Sequence, residues 1–150
     1  SLIRLWRANG ASDFASETIG GEADPAGFIS SRDAVFSPSG SFLATSFLSR
    51  TRNESTLALT ELDETMTKTQ SVVMPDFTAN CVVVSPDSKL LVVGDYKGRV
   101  RLVQTDDLSA QRDIMNTTGE AGAVCSVAFD PTCRFVAFGY RWGGLELWNL

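Results

Sequence analysis

One segment returns three times along this chain at nearly constant spacing. It appears at residues 34–40 (AVFSPSG), 82–88 (VVVSPDS) and 127–133 (VAFDPTC), and a short apolar run begins one residue after each copy. The copies are separated by 48 and 45 residues. A period of this size indicates one repeated supersecondary unit, which constrains the fold before any single residue does. It also favours a binding surface over a catalytic centre.

A second repeat is offset from the first. One apolar pattern occupies residues 3–6 (IRLW), 57–60 (LALT), 100–103 (VRLV) and 145–148 (LELW), at intervals of 54, 43 and 45 residues. The long first interval contains residues 19–31, which are rich in Gly, Ser, Asp and Pro. This composition predicts an enlarged loop there.

Each repeat unit has the signals of short β-strands. The Ser-Pro or Asp-Pro step favours a turn, and the flanking Val, Phe and Leu runs have the length of strands. Residues 94–98 (GDYKG) predict a hairpin turn, and residues 70–74 and 112–115 supply fourth strands. Four strands in about 45 residues are typical of a propeller blade. A β-sandwich would also have short strands, but it does not predict the same turn at a fixed period.

Three of these motifs resemble the WD-repeat family of β-propellers. They are residues 3–6 (IRLW), 36–40 (FSPSG) and 145–150 (LELWNL). The resemblance implies an all-β chain of four-stranded antiparallel blades in an incomplete ring of roughly three and a half blades. The expected units are 1–31 (the end of one blade plus the long loop), 32–78, 79–120 and 121–150 (the first three strands of a blade).

An incomplete ring leaves sheet edges open, and open edges favour aggregation. We therefore expect the chain to be a fragment whose remaining blades come from the same longer polypeptide or, alternatively, from another copy. The total number of blades is not determined by the sequence.

The repeats also depart from the family pattern. The chain has no histidine, and the positions of the family's buried aspartate are occupied by Glu54, Lys97 and Trp142. The polar network that ties typical repeats together therefore cannot form in its usual way. The sequence predicts that the blades rely on apolar packing.

The amino-acid composition limits the cellular locations and the classes of partner to be expected for this chain. The formal net charge is −5, so we expect no nucleic-acid partner, which would require a basic surface. No apolar run is long enough for membrane insertion. The odd cysteine count, with Cys81, Cys125 and Cys133 outside any Cys-x-x-Cys pair, favours free thiols and an intracellular location, cytoplasmic or nuclear.

The sequence offers little catalytic chemistry. Without histidine, the Ser-His-Asp and Cys-His arrangements are excluded. The acidic groups Asp106-Asp107 and 61–64 follow predicted strands, where carboxylates usually solvate turns. We therefore predict no enzyme activity and no catalytic, metal-binding or cofactor-binding residue.

The predicted function is a non-catalytic scaffold for protein–protein interactions in a larger intracellular complex. The resemblance implies binding through rim loops, and Arg, Tyr and Trp dominate interface energies. Alternatives are an enzyme with active residues elsewhere and a phosphoinositide-binding propeller, for which residues 140–143 (YRWG) supply only one arginine. Trp142 could instead cover its own blade. The candidate partner-binding residues are Arg32, Arg50, Arg52, Phe77, Tyr96, Lys97, Tyr140, Arg141 and Trp142.

Overall fold

The computed structural model describes residues 2–8, 14–20, 29–49, 52–63, 68–115 and 122–150. Within these ranges the chain forms thirteen β-strands and no helix, which confirms the all-β prediction. The strands are β1 (Leu2–Ala8), β2 (Phe14–Gly20), β3 (Ile29–Phe36), β4 (Phe42–Ser49), β5 (Glu54–Glu61), β6 (Thr69–Met74), β7 (Ala79–Val84), β8 (Leu90–Asp95), β9 (Val100–Gln104), β10 (Gln111–Met115), β11 (Val124–Phe129), β12 (Phe135–Tyr140) and β13 (Leu145–Asn149).

The strands form antiparallel sheets in which sequence neighbours pair with each other. Strands β1 and β2 form a hairpin, β3–β6 the first blade, β7–β10 the second blade and β11–β13 the third blade. Strand β3 packs beside β7, and β7 packs beside β11. The first strands of successive blades therefore lie side by side, as they do around the centre of a propeller.

The second blade is buried on both faces. Leu91 and Val93 pack in one apolar cluster with Leu57 of the first blade, whereas Val92 packs in another with Val136 of the third blade. Successive side chains of a strand point to opposite faces, so a strand between two blades needs an uninterrupted apolar run. This explains why residues 90–93 (LLVV) do not alternate with polar residues.

The repeated turn is closed by a side-chain oxygen at the same position in every blade. This oxygen accepts a hydrogen bond from the backbone N–H that starts the second strand of the blade. Ser37 Oγ accepts from Phe42 at 3.0 Å, Ser85 Oγ from Leu90 at 2.9 Å, and Asp130 Oδ1 from Phe135 at 2.6 Å. Ser37 and Ser85 are buried, with 4% and 0% exposure.

The same turns share a backbone conformation. Gly40, Ser88 and Cys133, which are equivalent in the repeat, have φ angles of 72°, 62° and 58°. This left-handed region suits glycine and costs other residues some free energy. The turns also touch, because the Ser39 N–H donates to Ser88 Oγ at 3.1 Å.

A β-bulge occurs at one repeat position in each blade. The register shifts place Arg32, Asn80 and Cys125 as the extra residues near the start of β3, β7 and β11. A bulge re-aims the side chain that it carries. Asn80 uses this position to reach the third blade.

Hydrogen bonds join neighbouring blades in addition to the apolar clusters between them. Three polar side chains reach backbone groups of the next blade. Ser55 Oγ accepts from the Ala79 N–H at 2.8 Å, Asp33 Oδ2 accepts from the Val82 N–H at 2.9 Å, and Asn80 Nδ2 donates to the Val124 carbonyl at 2.8 Å. These residues differ from those of the typical network.

The loop expected over 19–31 is shorter than predicted. Strand β2 continues to Gly20 and β3 begins at Ile29, ahead of the expected blade boundary at residue 32. Ile19 lies within β2, where it pairs with Ile3. Both ends of the segment thus carry β-branched residues that favour strands. Residues 21–28 lie outside the described part of the chain.

Candidate interaction surface

Three turns meet around Asp76, in the loop between β6 and β7. Its Oδ1 accepts hydrogen bonds from Asn53 Nδ2 at 3.1 Å and Lys97 Nζ at 2.9 Å, and its backbone carbonyl accepts one from Arg99 Nη2. The hydrogen bond and charge of Lys97, followed by the charge of Arg99, lower the Asp76 carboxyl pKa. Asn53 and Asp76 both have φ near 52°, which Asn and Asp tolerate best among non-glycine residues.

Asp95 closes the β8–β9 hairpin from within. Its carboxylate accepts from the backbone N–H groups of Lys97 and Arg99 at 2.8 and 2.7 Å, and it pairs with Arg99 Nη2 at 2.6 Å. Asp95 is completely buried, and the Arg99 side chain is 27% exposed. The carboxylate thus fixes the turn that carries Tyr96.

Tyr96 lies at the tip of this hairpin and is 39% exposed. Its backbone N–H donates to the Thr78 carbonyl at 3.0 Å, which ties the tip to the start of β7. Arg32, from the bulge of the first blade, places its guanidinium 5.2 Å from the centre of the Tyr96 ring. Two blades therefore build this contact together.

Trp142, in the turn between β12 and β13, is 71% exposed but lies directly against the backbone. A Cβ on Gly122 would approach two indole ring atoms to 2.3 Å, so the ring requires a glycine there. Arg141 lies 5.3 Å from the ring centre, and its backbone N–H donates to the Ala123 carbonyl at 2.9 Å. The indole is held in place while most of its surface faces solvent.

These turns lie at the same end of the three blades, where the second strands end and the first strands begin. We name Arg32, Tyr96, Arg141 and Trp142 the rim surface. It combines two exposed aromatic rings with two guanidinium groups, which suits partner binding. Among the described residues, no group of His, Cys, Asp and Glu could hold a metal ion.

Comparison with known proteins relates this chain to a protein family and to a solved structure. A family model described as "WD domain, G-beta repeat" matches residues 70–103, from β6 to β9. A chain in the crystal structure of the mitotic checkpoint complex superposes with a TM-score of 0.73 over 99% of this chain. The match to the WD-repeat family is thus confined to part of the first two blades. The likeness to the checkpoint structure, at 17% identity, concerns the fold.

The chain also has a relative in sequence. Telomerase protein component 1 of Mus musculus is 33% identical over 70 residues, which are 46% of this chain and 2% of that protein. This chain spans 42% of the checkpoint-complex chain. It therefore corresponds to a part of each of these proteins.

Two predicted rim residues, Phe77 and Tyr140, are buried in the blades. Phe77 is completely buried beneath Arg101 and Arg99, whose guanidinium carbons lie 4.6 and 5.1 Å from its ring centre. Tyr140 is 7% exposed, and its burial, together with the charge of Glu146, raises its pKa to about 12. Because both rings are buried, we do not include them in the rim surface.

The remaining predicted cations differ in their surroundings. Lys97 is bound to Asp76, as described above, and Arg52 lies 3.5 Å from Glu54 in an exposed ion pair. Exposed pairs of this kind contribute little to stability. Arg50 lies outside the described residues.

Sequence reasoning missed Asp76, Asp95 and Gly122, which position the exposed side chains. Pro75-Asp76 is a turn signal that was available, because Asp tolerates the left-handed conformation. Asp95 is the last residue of β8, the second strand of its blade. Its role in closing the following turn becomes visible only in the structure. Gly122 carries no sequence signal for its contact with the indole ring.

The acidic groups that sequence analysis considered for catalysis stabilise turns. Asp107 accepts from the backbone N–H of Ser109 at 2.9 Å and from its hydroxyl at 2.6 Å, which lowers the Asp107 pKa. Glu61 pairs with Lys68 at 3.1 Å. In the part of the chain that the structure covers, no helix is long and apolar enough to cross a bilayer.

Proposed function

We propose that this chain is a non-catalytic scaffold whose rim surface binds protein partners within a larger intracellular assembly. The observation that carries the proposal is Trp142, which is 71% exposed yet held against Gly122 and Arg141. An exposed indole in a fixed position offers a large apolar area with little loss of side-chain freedom on binding. Such residues dominate the energy of protein interfaces.

Tyr96 extends the same argument to the second blade. Its position is fixed by the hydrogen bond to Thr78 and by the contact with Arg32. Both aromatic anchors thus stand on turns that are tied to the start of a neighbouring strand. We expect a partner to contact both turns at once, since one anchor alone buries too little area for specific binding.

The comparisons support a role in assembly without naming a partner. One solved chain with this fold belongs to the mitotic checkpoint complex, and one relative in sequence is a telomerase protein component. Three unpaired cysteines, Cys81, Cys125 and Cys133, fit the reducing interior of a cell. We propose a cytoplasmic or nuclear location and other proteins as partners.

The test compares partner recovery from lysate by purified proteins, measured by quantitative mass spectrometry. Trp142→Ala should weaken partner binding by about 2 kcal/mol, roughly thirtyfold in Kd. Trp148→Ala is a matched control, because Trp148 is also partly exposed but lies on β13. Gly122→Ala should reproduce the loss, because its Cβ would displace the indole ring without removing it.

Three outcomes bear directly on the proposal. Recovery of the same proteins in the same amounts by Trp142→Ala and Tyr96→Ala would overturn it. Equal losses with Trp148→Ala would also overturn it, because the effect would then not depend on the rim. Turnover of a substrate by the wild-type protein would favour an enzyme with its active residues elsewhere.

A further inference from the structure

The carboxylates near the rim surface are occupied by the chain's own donors. Each of the four accepts a hydrogen bond or pairs with a cation of a neighbouring turn or strand. Asp33 accepts from the N–H groups of Ala34 and Val82, Glu54 pairs with Arg52, Asp76 with Lys97, and Asp95 with Arg99. Among the described residues, three of these carboxylates are thus paired with cations, and Asp33 is held by two backbone N–H groups.

Within the described ranges, the two arginines of the rim surface contact aromatic rings rather than carboxylates. Arg32 and Arg141 contact aromatic rings, at 5.2 Å from Tyr96 and 5.3 Å from Trp142, and neither forms an ion pair with a carboxylate among the described residues. Arg32 Nε is in addition buried without an acceptor in that part of the chain. Positive charge at the rim surface is therefore left unmatched.

A guanidinium beside an aromatic ring is suited to bind an anion. The contact with the ring restrains the flexible side chain, so less entropy is lost when an anion binds. The planar group still offers parallel N–H donors that fit the two oxygens of a carboxylate or a phosphate. The exposed rings beside it supply apolar contact to the same ligand.

We propose that the two arginine–aromatic pairs bind acidic side chains, carboxylate or phosphorylated, of one partner segment. The proposal rests on the proposed function and names the chemistry of the partner. The aromatic rings of the two pairs, Tyr96 and Trp142, stand on the hairpins of adjacent blades, so the segment carries at least two acidic groups, one for each pair. The overall charge of −5 does not oppose this, because the two pairs present a local positive charge.

The experiment measures binding of labelled peptides by fluorescence anisotropy. The probes are an oligoglutamate peptide, a phosphoserine peptide of the same length and an oligoglutamine peptide as the uncharged control. We expect the acidic peptides to bind the wild-type protein and the glutamine peptide not to bind. Arg32→Gln and Arg141→Gln should each weaken binding of the acidic peptides about tenfold.

Arg134→Gln is the matched control. Arg134 also places its guanidinium beside an aromatic ring, 5.5 Å from the centre of Phe135, but it lies at the opposite end of the third blade. Its substitution should leave peptide binding unchanged. Raising the ionic strength from about 0.1 M to about 1 M should weaken binding of the acidic peptides, because it shortens the range of charge interactions.

The outcomes separate this inference from the proposed function. Equal binding of glutamate and glutamine peptides, or unchanged binding by both rim arginine variants, would overturn the acidic partner. If Trp142→Ala nevertheless lost its protein partners, the proposed function would stand. Binding to phosphoinositide vesicles without binding to either acidic peptide would overturn the inference in favour of a membrane surface. Stronger binding of the phosphoserine peptide would identify phosphate as the preferred group.

Discussion

Asp95→Ala is the substitution that most directly tests how these blades are held. The change removes a buried carboxylate that pairs with Arg99 at 2.6 Å and accepts two backbone hydrogen bonds in the β8–β9 turn. The methyl group of alanine would leave the backbone N–H groups of Lys97 and Arg99 without an acceptor, and the Arg99 guanidinium without its closest carboxylate. We therefore expect a large loss of stability from this single substitution.

The magnitude follows from the surroundings of Arg99. Removing one partner of a buried ion pair costs about 3–5 kcal/mol. Arg99 keeps part of its stabilisation, because Asp76 lies 3.8 Å from it and the Phe77 ring lies beneath it. We expect about 3 kcal/mol for Asp95→Ala, at the lower end of that range. Asp95→Asn keeps an acceptor for the turn and should cost about 1–2 kcal/mol.

The assay is urea unfolding followed by circular dichroism, with the free energy of unfolding extrapolated to water. Asp106→Ala is the control, because Asp106 is exposed and should change stability by less than about 0.5 kcal/mol. If Asp95→Ala were as stable as Asp106→Ala, the carboxylate would contribute nothing. Apolar packing alone would then hold the second blade, contrary to the reasoning above.

Three further predictions concern packing and titration. Gly94→Ala should lower the free energy of unfolding in urea by about 1–3 kcal/mol, because the added Cβ would lie 2.6 Å from a Val124 side-chain carbon. Gly139→Ala should lower it less, since the Cβ there meets a serine hydroxyl that can move; equal losses would contradict the packing argument. The Tyr140 hydroxyl, with its pKa raised to about 12, should keep its proton in the folded state after unfolded tyrosines lose theirs. Stability should therefore fall between about pH 10 and 12, and it should fall less in Tyr140→Phe, which retains the similar effect of the partly buried Cys81 thiol; equal falls in both proteins would refute this. A hydrogen bond from a threonine hydroxyl is the main cause that lowers the pKa of the Asp130 carboxyl to about 2. The ionised carboxylate should therefore stabilise the fold above about pH 4, and this stabilisation should be lost towards about pH 2. A titration midpoint of Asp130 near about pH 4, measured by NMR, would refute the prediction.

The architecture was predictable because its cause is local and repeated. The turn proline, the apolar runs and their period together indicate four-stranded blades, and the two-sided burial of β8 explains its uninterrupted run. The polar contacts between blades were not predictable, since they depend on which backbone groups of different repeats approach each other. Asp33 and Val82, for example, are 49 residues apart in sequence.

The candidate surface was predicted in part. Trp142 and Tyr96 are exposed at turns, as the sequence indicated, but Phe77 is covered by two arginines that come from β9 and the preceding turn. Tyr140 ends β12 at the position where the buried Asp95 ends β8. Its burial was not predictable, because it depends on packing against residues of other strands.

The closure of the repeated turns has a consequence for covalent modification. Ser37 and Ser85 each precede proline, which is the dipeptide that proline-directed kinases recognise in accessible segments. Both hydroxyls are buried and accept hydrogen bonds within the turn, at 4% and 0% exposure. A kinase can reach these oxygens only after the turn opens locally. The added phosphate would then prevent the turn from closing, so modification at either serine would report an opened blade.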